Sequence, residues 1–196
     1  MTRREREIEL RRVHERPSEE DSGRLLGRFE VAVDGAPEDY ARRLRSVLWA
    51  ALNIAGDPGF EEADELPTET VPDWFAEVSG EHGRGAGRKP GPDDAVAEAG
   101  ASVYVSEREE ERWGLQEWLF TFDPENRSWL WWDVTESADG GTVSLWVDTR
   151  GEPVVGCEQL YWLAYTCGAH SVGRMFLERV ERWQGERSLA NKPIAL

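Results

Sequence analysis

Aromatic and apolar positions concentrate between Trp113 and Ala169, where seven of the chain's ten tryptophans fall: Trp113, Trp118, Trp129, Trp131, Trp132, Trp146 and Trp162. Within this stretch Glu117–Phe122 is aromatic and β-prone, and it stops at the turn residues Asp123-Pro124-Glu125-Asn126. Ser128–Thr135 follows, then the cluster Ser137-Ala138-Asp139-Gly140-Gly141, then Thr142–Asp148. Three β-prone runs joined by short turn clusters predict an antiparallel meander over 117–148. Period two puts Trp118, Phe120 and Phe122 on one face of the first run, and Val143, Leu145 and Val147 on one face of the third. The middle run is apolar on both sides, which suits a strand covered on both faces or one whose second face binds something.

Beyond Thr149–Pro153 the period changes. Leu160, Leu163, Ala164 and Cys167 repeat at i, i+3, i+4 and i+7, and Gly168 stands where a C-terminal cap belongs. Tyr161, Trp162 and Tyr165 widen the stripe, so this helix, about 156–167, is expected between layers or in an interface. Upstream, Arg28–Asp34 alternates as a strand. Pro37, Glu38 and Asp39 then open a helix over about 38–55, whose apolar face is Tyr40, Leu44, Val47, Leu48, Ala51 and Ala55. Weaker patterns predict a short helix in Val71–Val78, one or two helical turns in Asp93–Ala99, and a short strand in Ser102–Val105. Val172–Val180 reads as a strand in preference to a helix, and Arg179–Lys192 as an exposed basic tail. Residues 1–16, rich in Arg and Glu, fit either a strand or a short helix.

These elements predict an α+β fold: an antiparallel sheet of four to six strands, including the Trp-rich meander 117–148, packed by the helices 38–55 and 156–167. The expected organisation is a charged N-terminal segment and linker over 1–27, with the linker at Pro17–Gly23. One α+β domain over 28–196 follows, with an acidic and glycine-rich insertion at 57–92. A chain of 196 residues fits a single core of this kind.

Charge changes the picture most. The formal net charge is −16 and the isoelectric point near 4.6. Nucleic acid and anionic membranes would repel the average surface, so the expected partner is a basic protein. Residues 57–81 hold nine acidic side chains and no Lys or Arg. The tract reads either as a solvated surface or as an electronegative contact surface comprising Glu61, Glu62, Asp64, Glu65, Glu69, Asp73 and Glu77, with Trp74 and Phe75 as apolar anchors. Twenty-one of the 23 basic residues are arginine, which we read as the imprint of a GC-rich bacterial genome. The N-terminus lacks an apolar signal-like region and no run of roughly 18 apolar residues exists, so a cytoplasmic location is expected.

Catalytic signatures are sparse. His14, His82 and His170 show no metal-ligand spacing, and Cys157 and Cys167 form no CxxC pair, so neither metal nor cofactor is expected. Gly83-x-Gly85-x-Gly87 lacks the strand and the lysine of a phosphate loop and reads as a plain loop. Cys157 with His170 is a conceivable nucleophile and base. Asp133, Asp148 and Glu152, close to the tryptophans, are the equipment of a carboxylate-dependent hydrolase or carbohydrate-acting enzyme. The leading expectation is a non-enzymatic acidic protein-binding module, most concretely an immunity or antitoxin-type inhibitor of a basic toxin or nuclease. The alternatives are that hydrolase, and a subunit of a larger assembly using the Trp-rich face.

Overall fold

The computed structural model describes residues 1–18, 25–81, 89–138 and 140–189. Most of the predicted linker Pro17–Gly23, residues 82–88 of the glycine-rich loop, Asp139 and the end of the basic tail lie outside the described residues.

A six-stranded antiparallel sheet forms the centre, with seven α-helices among the described residues arranged on its two faces. β1 (Leu25–Val33) lies next to β3 (Val143–Asp148), which lies next to β2 (Leu130–Glu136), and β6 (Arg187–Ser188) closes that side. On its other side β1 pairs first with β4 (Ala169–Val172) and then, further along, with β5 (Phe176–Arg179). Phe29 lies opposite Leu145 and Val31 opposite Val143, so the alternating apolar residues of both strands face one layer.

The register slips between Trp131, opposite Val147, and Asp133, opposite Trp146. This bulge inserts Trp132 into β2. Trp131 joins the larger core, whereas Trp132 and Asp133 both turn to the opposite face, where Trp132 packs with Leu26, Trp146 and Trp183. The apolar middle run is thus a strand covered on both sides.

The larger layer holds α2 (Pro37–Ile54), α4 (Pro92–Arg108) and α6 (Glu158–Thr166). Every residue of α6 except Glu158 is buried, because the helix is sandwiched. Tyr161 meets Phe29 of β1 at 5.5 Å between ring centroids, while Trp162 and Tyr165 meet Tyr104 of α4 at 5.1 and 5.8 Å. The two helices cross so closely at Gly100 that a Cβ there would lie 1.8 Å from the carbonyl oxygen of Tyr165. Gly168, at φ +107°, supplies the left-handed residue that ends α6.

The smaller layer is built from Leu26, Trp132, Trp146 and Trp183, covered by α1 (Arg3–Arg12) and α7 (Val180–Gln184). The guanidinium groups of Arg12, Arg16 and Arg28 lie over the indoles of Trp132, Trp183 and Trp146 at 4.1, 4.7 and 5.6 Å. Arg16 also donates to the carbonyls of Trp183, Gln184 and Glu186, capping the C-terminal end of α7. From α1, Glu9 is buried against Arg127 in a two-point ion pair of 2.9 and 2.7 Å, and it accepts a third bond from the Trp131 amide.

Four sequence expectations need correction. Glu117–Phe122 is not the first strand of a meander: most of it belongs to the helix α5 (Leu115–Phe120). Its alternation spans six residues, too few to decide, and starting the count at Leu115 reveals buried Leu115, Trp118, Leu119 and Phe122 at i, i+3, i+4 and i+7. Ser102–Val105 is likewise helical, because Ala97, Gly100, Ala101 and Tyr104 form the buried stripe of the continuous helix α4. The stretch read as one strand over 172–180 splits: only Val172 and Phe176–Arg179 lie in strands, and Val180 opens α7. Residues 179–189 are no exposed tail, since Trp183 and Leu189 are buried and β6 joins the sheet.

Candidate interaction surface

The acidic tract leaves α2 through Asp57, whose carboxylate accepts from the Gly59 amide at 2.8 Å and shapes the turn. A short 3-10 turn over Phe60–Glu62 follows. Phe60 is buried and packs on the ring of Phe120 at 5.7 Å, so Glu61 and Glu62 are turned outward. Leu66 is buried in turn, and Gln116 of α5 clasps its backbone from both sides, accepting from its amide at 2.9 Å and donating to its carbonyl at 3.0 Å. Val71 is buried next, ahead of the helix α3 (Asp73–Val78). The tract is therefore pinned to the main core at Phe60, Leu66 and Val71, while Glu61, Glu62, Asp64, Glu65 and Glu69 stand exposed between the pins.

Elsewhere among the described residues arginine neutralises many of the acidic side chains, though not the exposed Glu107, Glu109, Glu111 and Glu117. Glu5, Glu9, Glu30, Asp93, Glu98 and Glu136 each form an ion pair with an arginine. Among the described residues, none of Glu61, Glu62, Asp64, Glu65 and Glu69 does so. The ridge is thus one concentration of unneutralised negative charge, and Glu107, Glu109, Glu111 and Glu117 form another. Asp73 and Glu77, also expected here, are half-buried and engaged in contacts of their own.

The expected apolar anchors are a correction. Phe75 is fully buried, with its ring 4.7 Å from Trp118, and Trp74 packs beside it at 5.8 Å. On the helix α3 these two residues face the core because they continue the line of pins begun at Phe60. The ridge therefore presents carboxylates without an aromatic centre. The same holds for the Trp-rich face. Of the ten tryptophans only Trp49 is exposed, Trp113 is half-buried, and the other eight are buried. Indoles so placed are core material, not a platform.

The carboxylates weighed for catalysis do not converge on solvent. Asp133 has no exposure at all. Its Oδ1 accepts from the Val134 amide at 2.8 Å and from the Ser188 hydroxyl at 2.9 Å, and its Oδ2 from the Trp183 indole at 2.9 Å. Burial outweighs these donors and pushes its carboxyl up to about 6. Asp148 is occupied by the Arg150 amide at 2.8 Å, shaping a turn, and Glu152 is an exposed turn residue. Cys157 is a poor nucleophile: burial, reinforced by the charge of Glu158, pushes its thiol up to about 12. His170 faces Asp34 at 3.4 Å instead. Among the described residues, no three His, Cys, Asp or Glu side chains gather as a metal site requires, and no helix is long and apolar enough to cross a membrane.

The pinning of the ridge was not legible beforehand, because it depends on the chain-distant Gln116 and Phe120. Compared with known proteins, the chain matches no family model, no curated protein and no solved structure.

Proposed function

We propose that this chain is a non-enzymatic acidic module that binds a basic protein surface through residues 61–69. Its most concrete form is an inhibitor of the immunity or antitoxin kind, set against a basic toxin or nuclease. The observation that carries the proposal is the run of five exposed carboxylates within nine residues, none with an arginine partner among the described residues, held on a segment that the core pins. Such a run concentrates field at one place and steers an oppositely charged partner. Pinning at Phe60, Leu66 and Val71 supports the reading further, because a ridge already held by the core loses little freedom on binding. Without an aromatic centre, the ridge governs the rate of encounter and the choice of partner more than the final affinity.

The test compares wild type with a variant carrying Glu61→Gln, Glu62→Gln, Asp64→Asn and Glu65→Gln. Affinity capture from the native cell extract at about 0.05 M salt, followed by association kinetics on the captured partner, is expected to return a basic protein whose on-rate falls about tenfold or more with the variant. Raising salt to about 0.5 M should abolish the difference by screening. Where the partner is a toxin, co-expression with wild type restores growth and co-expression with the variant restores it less. Capture of no basic protein, or equal rates for both proteins at low salt, overturns the proposal.

A further inference from the structure

The sheet ends, beyond β4 and β5, on an edge that no other strand covers among the described residues. Free strand edges are templates for further pairing, and soluble chains usually blunt them with charge or cover. This one carries exposed apolar residues among its charges. Phe176 is 62% exposed, the neighbouring Leu177 37%, and Leu25, alongside on β1, 48%. The edge is also where the chain escapes its own negative charge. Residues 169–179 hold two arginines, Arg174 and Arg179, against the single carboxylate of Glu178, a local sum of +1 with His170 neutral, in a chain of −16. Two copies can approach here with less repulsion than the acidic parts of the surface impose.

We propose that the edge segment 174–178, which enters β5 at Phe176, pairs antiparallel with the same segment of a second copy, with the two-fold axis at Phe176, so that the two sheets join into one. Directly opposed residues of antiparallel strands share a face. Phe176 lies opposite Arg28 of β1, whose guanidinium lies over Trp146, so Phe176 belongs to the smaller-layer face. An axis at Phe176 sets the two Phe176 rings against each other on that face and places Arg174 of each copy opposite Glu178 of the other. On the opposite face it sets Met175 against Leu177. The sequence Arg-Met-Phe-Leu-Glu over 174–178 is thus its own complement when reversed, in charge as well as in polarity. Shifting the axis by one residue to Leu177 sets Phe176 against Glu178, and a further shift to Glu178 sets two carboxylates face to face. The complementarity therefore selects one register and one occupant, a second copy of this chain. Gly173-Arg174-Met175 fits three residues opposite Phe29 and Glu30 of β1, a bulge that bends the edge and keeps the new ladder short. A ladder so short gives a concentration-dependent dimer and not an obligate one.

Sedimentation velocity from about 1 µM to about 200 µM is expected to show a monomer–dimer equilibrium for the wild type. Arg174→Glu or Glu178→Arg alone puts like charges opposite each other at both symmetric positions, and should weaken the dimer about tenfold or more. The double variant Arg174→Glu with Glu178→Arg restores opposite charges and should restore the dimer. Phe176→Lys should abolish it, with far-UV circular dichroism unchanged because the side chain is exposed. A wild type that stays monomeric across the range, a double swap that fails to restore pairing, or association that survives Phe176→Lys overturns the proposal. In the first case the edge would be left to a strand from another protein. None of these residues belongs to the ridge at 61–69, so neutralising the ridge leaves the dimer intact and the two proposals fail independently.

Discussion

Asp133 offers the most direct check on how the smaller layer is built. The residue is wholly buried and its carboxyl is raised from 3.8 to about 6, burial outweighing three donated hydrogen bonds. A carboxyl raised on folding holds its proton in the native state at pH values where the unfolded chain has already lost it. Its contribution to stability is therefore complete below the unfolded value and disappears as pH rises through about 6. That shift corresponds to about 3 kcal/mol in all, of which somewhat less than half falls between about pH 5 and pH 7.5. That interval avoids the isoelectric point near 4.6, where a weakly charged protein precipitates. Urea unfolding followed by tryptophan fluorescence, on wild type and Asp133→Asn, gives the quantity required as the difference between the two proteins. Other titrating groups are common to both and cancel, including Glu5, which its Thr2 and Arg150 partners hold down at about 2. The variant loses part of the hydrogen-bond set at every pH, about 1 kcal/mol. Against that constant offset, its relative stability should improve by about 1 kcal/mol as pH rises across the interval. A difference that stays flat to within about 0.3 kcal/mol would refute the reasoning, because it would mean that Asp133 titrates alike in both states.

Two further predictions concern the core. Glu9→Gln should destabilise the protein by about 3–5 kcal/mol in urea unfolding, since it leaves the Arg127 guanidinium buried without its counter-charge. Adding Arg127→Met should recover much of that loss, whereas a single-variant cost below about 1 kcal/mol would place the pair in effective contact with water. Gly100→Ala should cost about 2–3 kcal/mol and lower the melting temperature, because the new methyl meets the backbone of α6 and the helices must separate. A neutral effect there would contradict the close crossing.

How far the sequence could be read is clearest in particular elements. The helices now seen at Pro37–Ile54 and Glu158–Thr166 were legible because their patterns ran over several turns and carried their own stop residues, Gly56 and Gly168. β1 and β3 were legible because one face of each is strictly apolar. The run Glu117–Phe122 misled because six residues cannot separate a period of two from one of 3.6 when both predict aromatic neighbours. Of the candidate site, the acidic side chains of 61–69 could be counted but not their pairing, since that depends on where 21 arginines come to rest. Trp74 and Phe75 could be named as large and apolar, but not as buried.

The sequence by itself determined the class of fold, the helices α2 and α6, the strong negative charge and its densest segment, because these follow from composition and local period. Only the tertiary structure decided that the tryptophans fill two cores instead of one face, that the N-terminal helix is stapled by Glu9 to Arg127, and that Phe176 is left on an open edge. Those outcomes rest on contacts between residues 50 to 122 positions apart, or on the lack of a neighbouring strand among the described residues. Local periodicity carries no record of them.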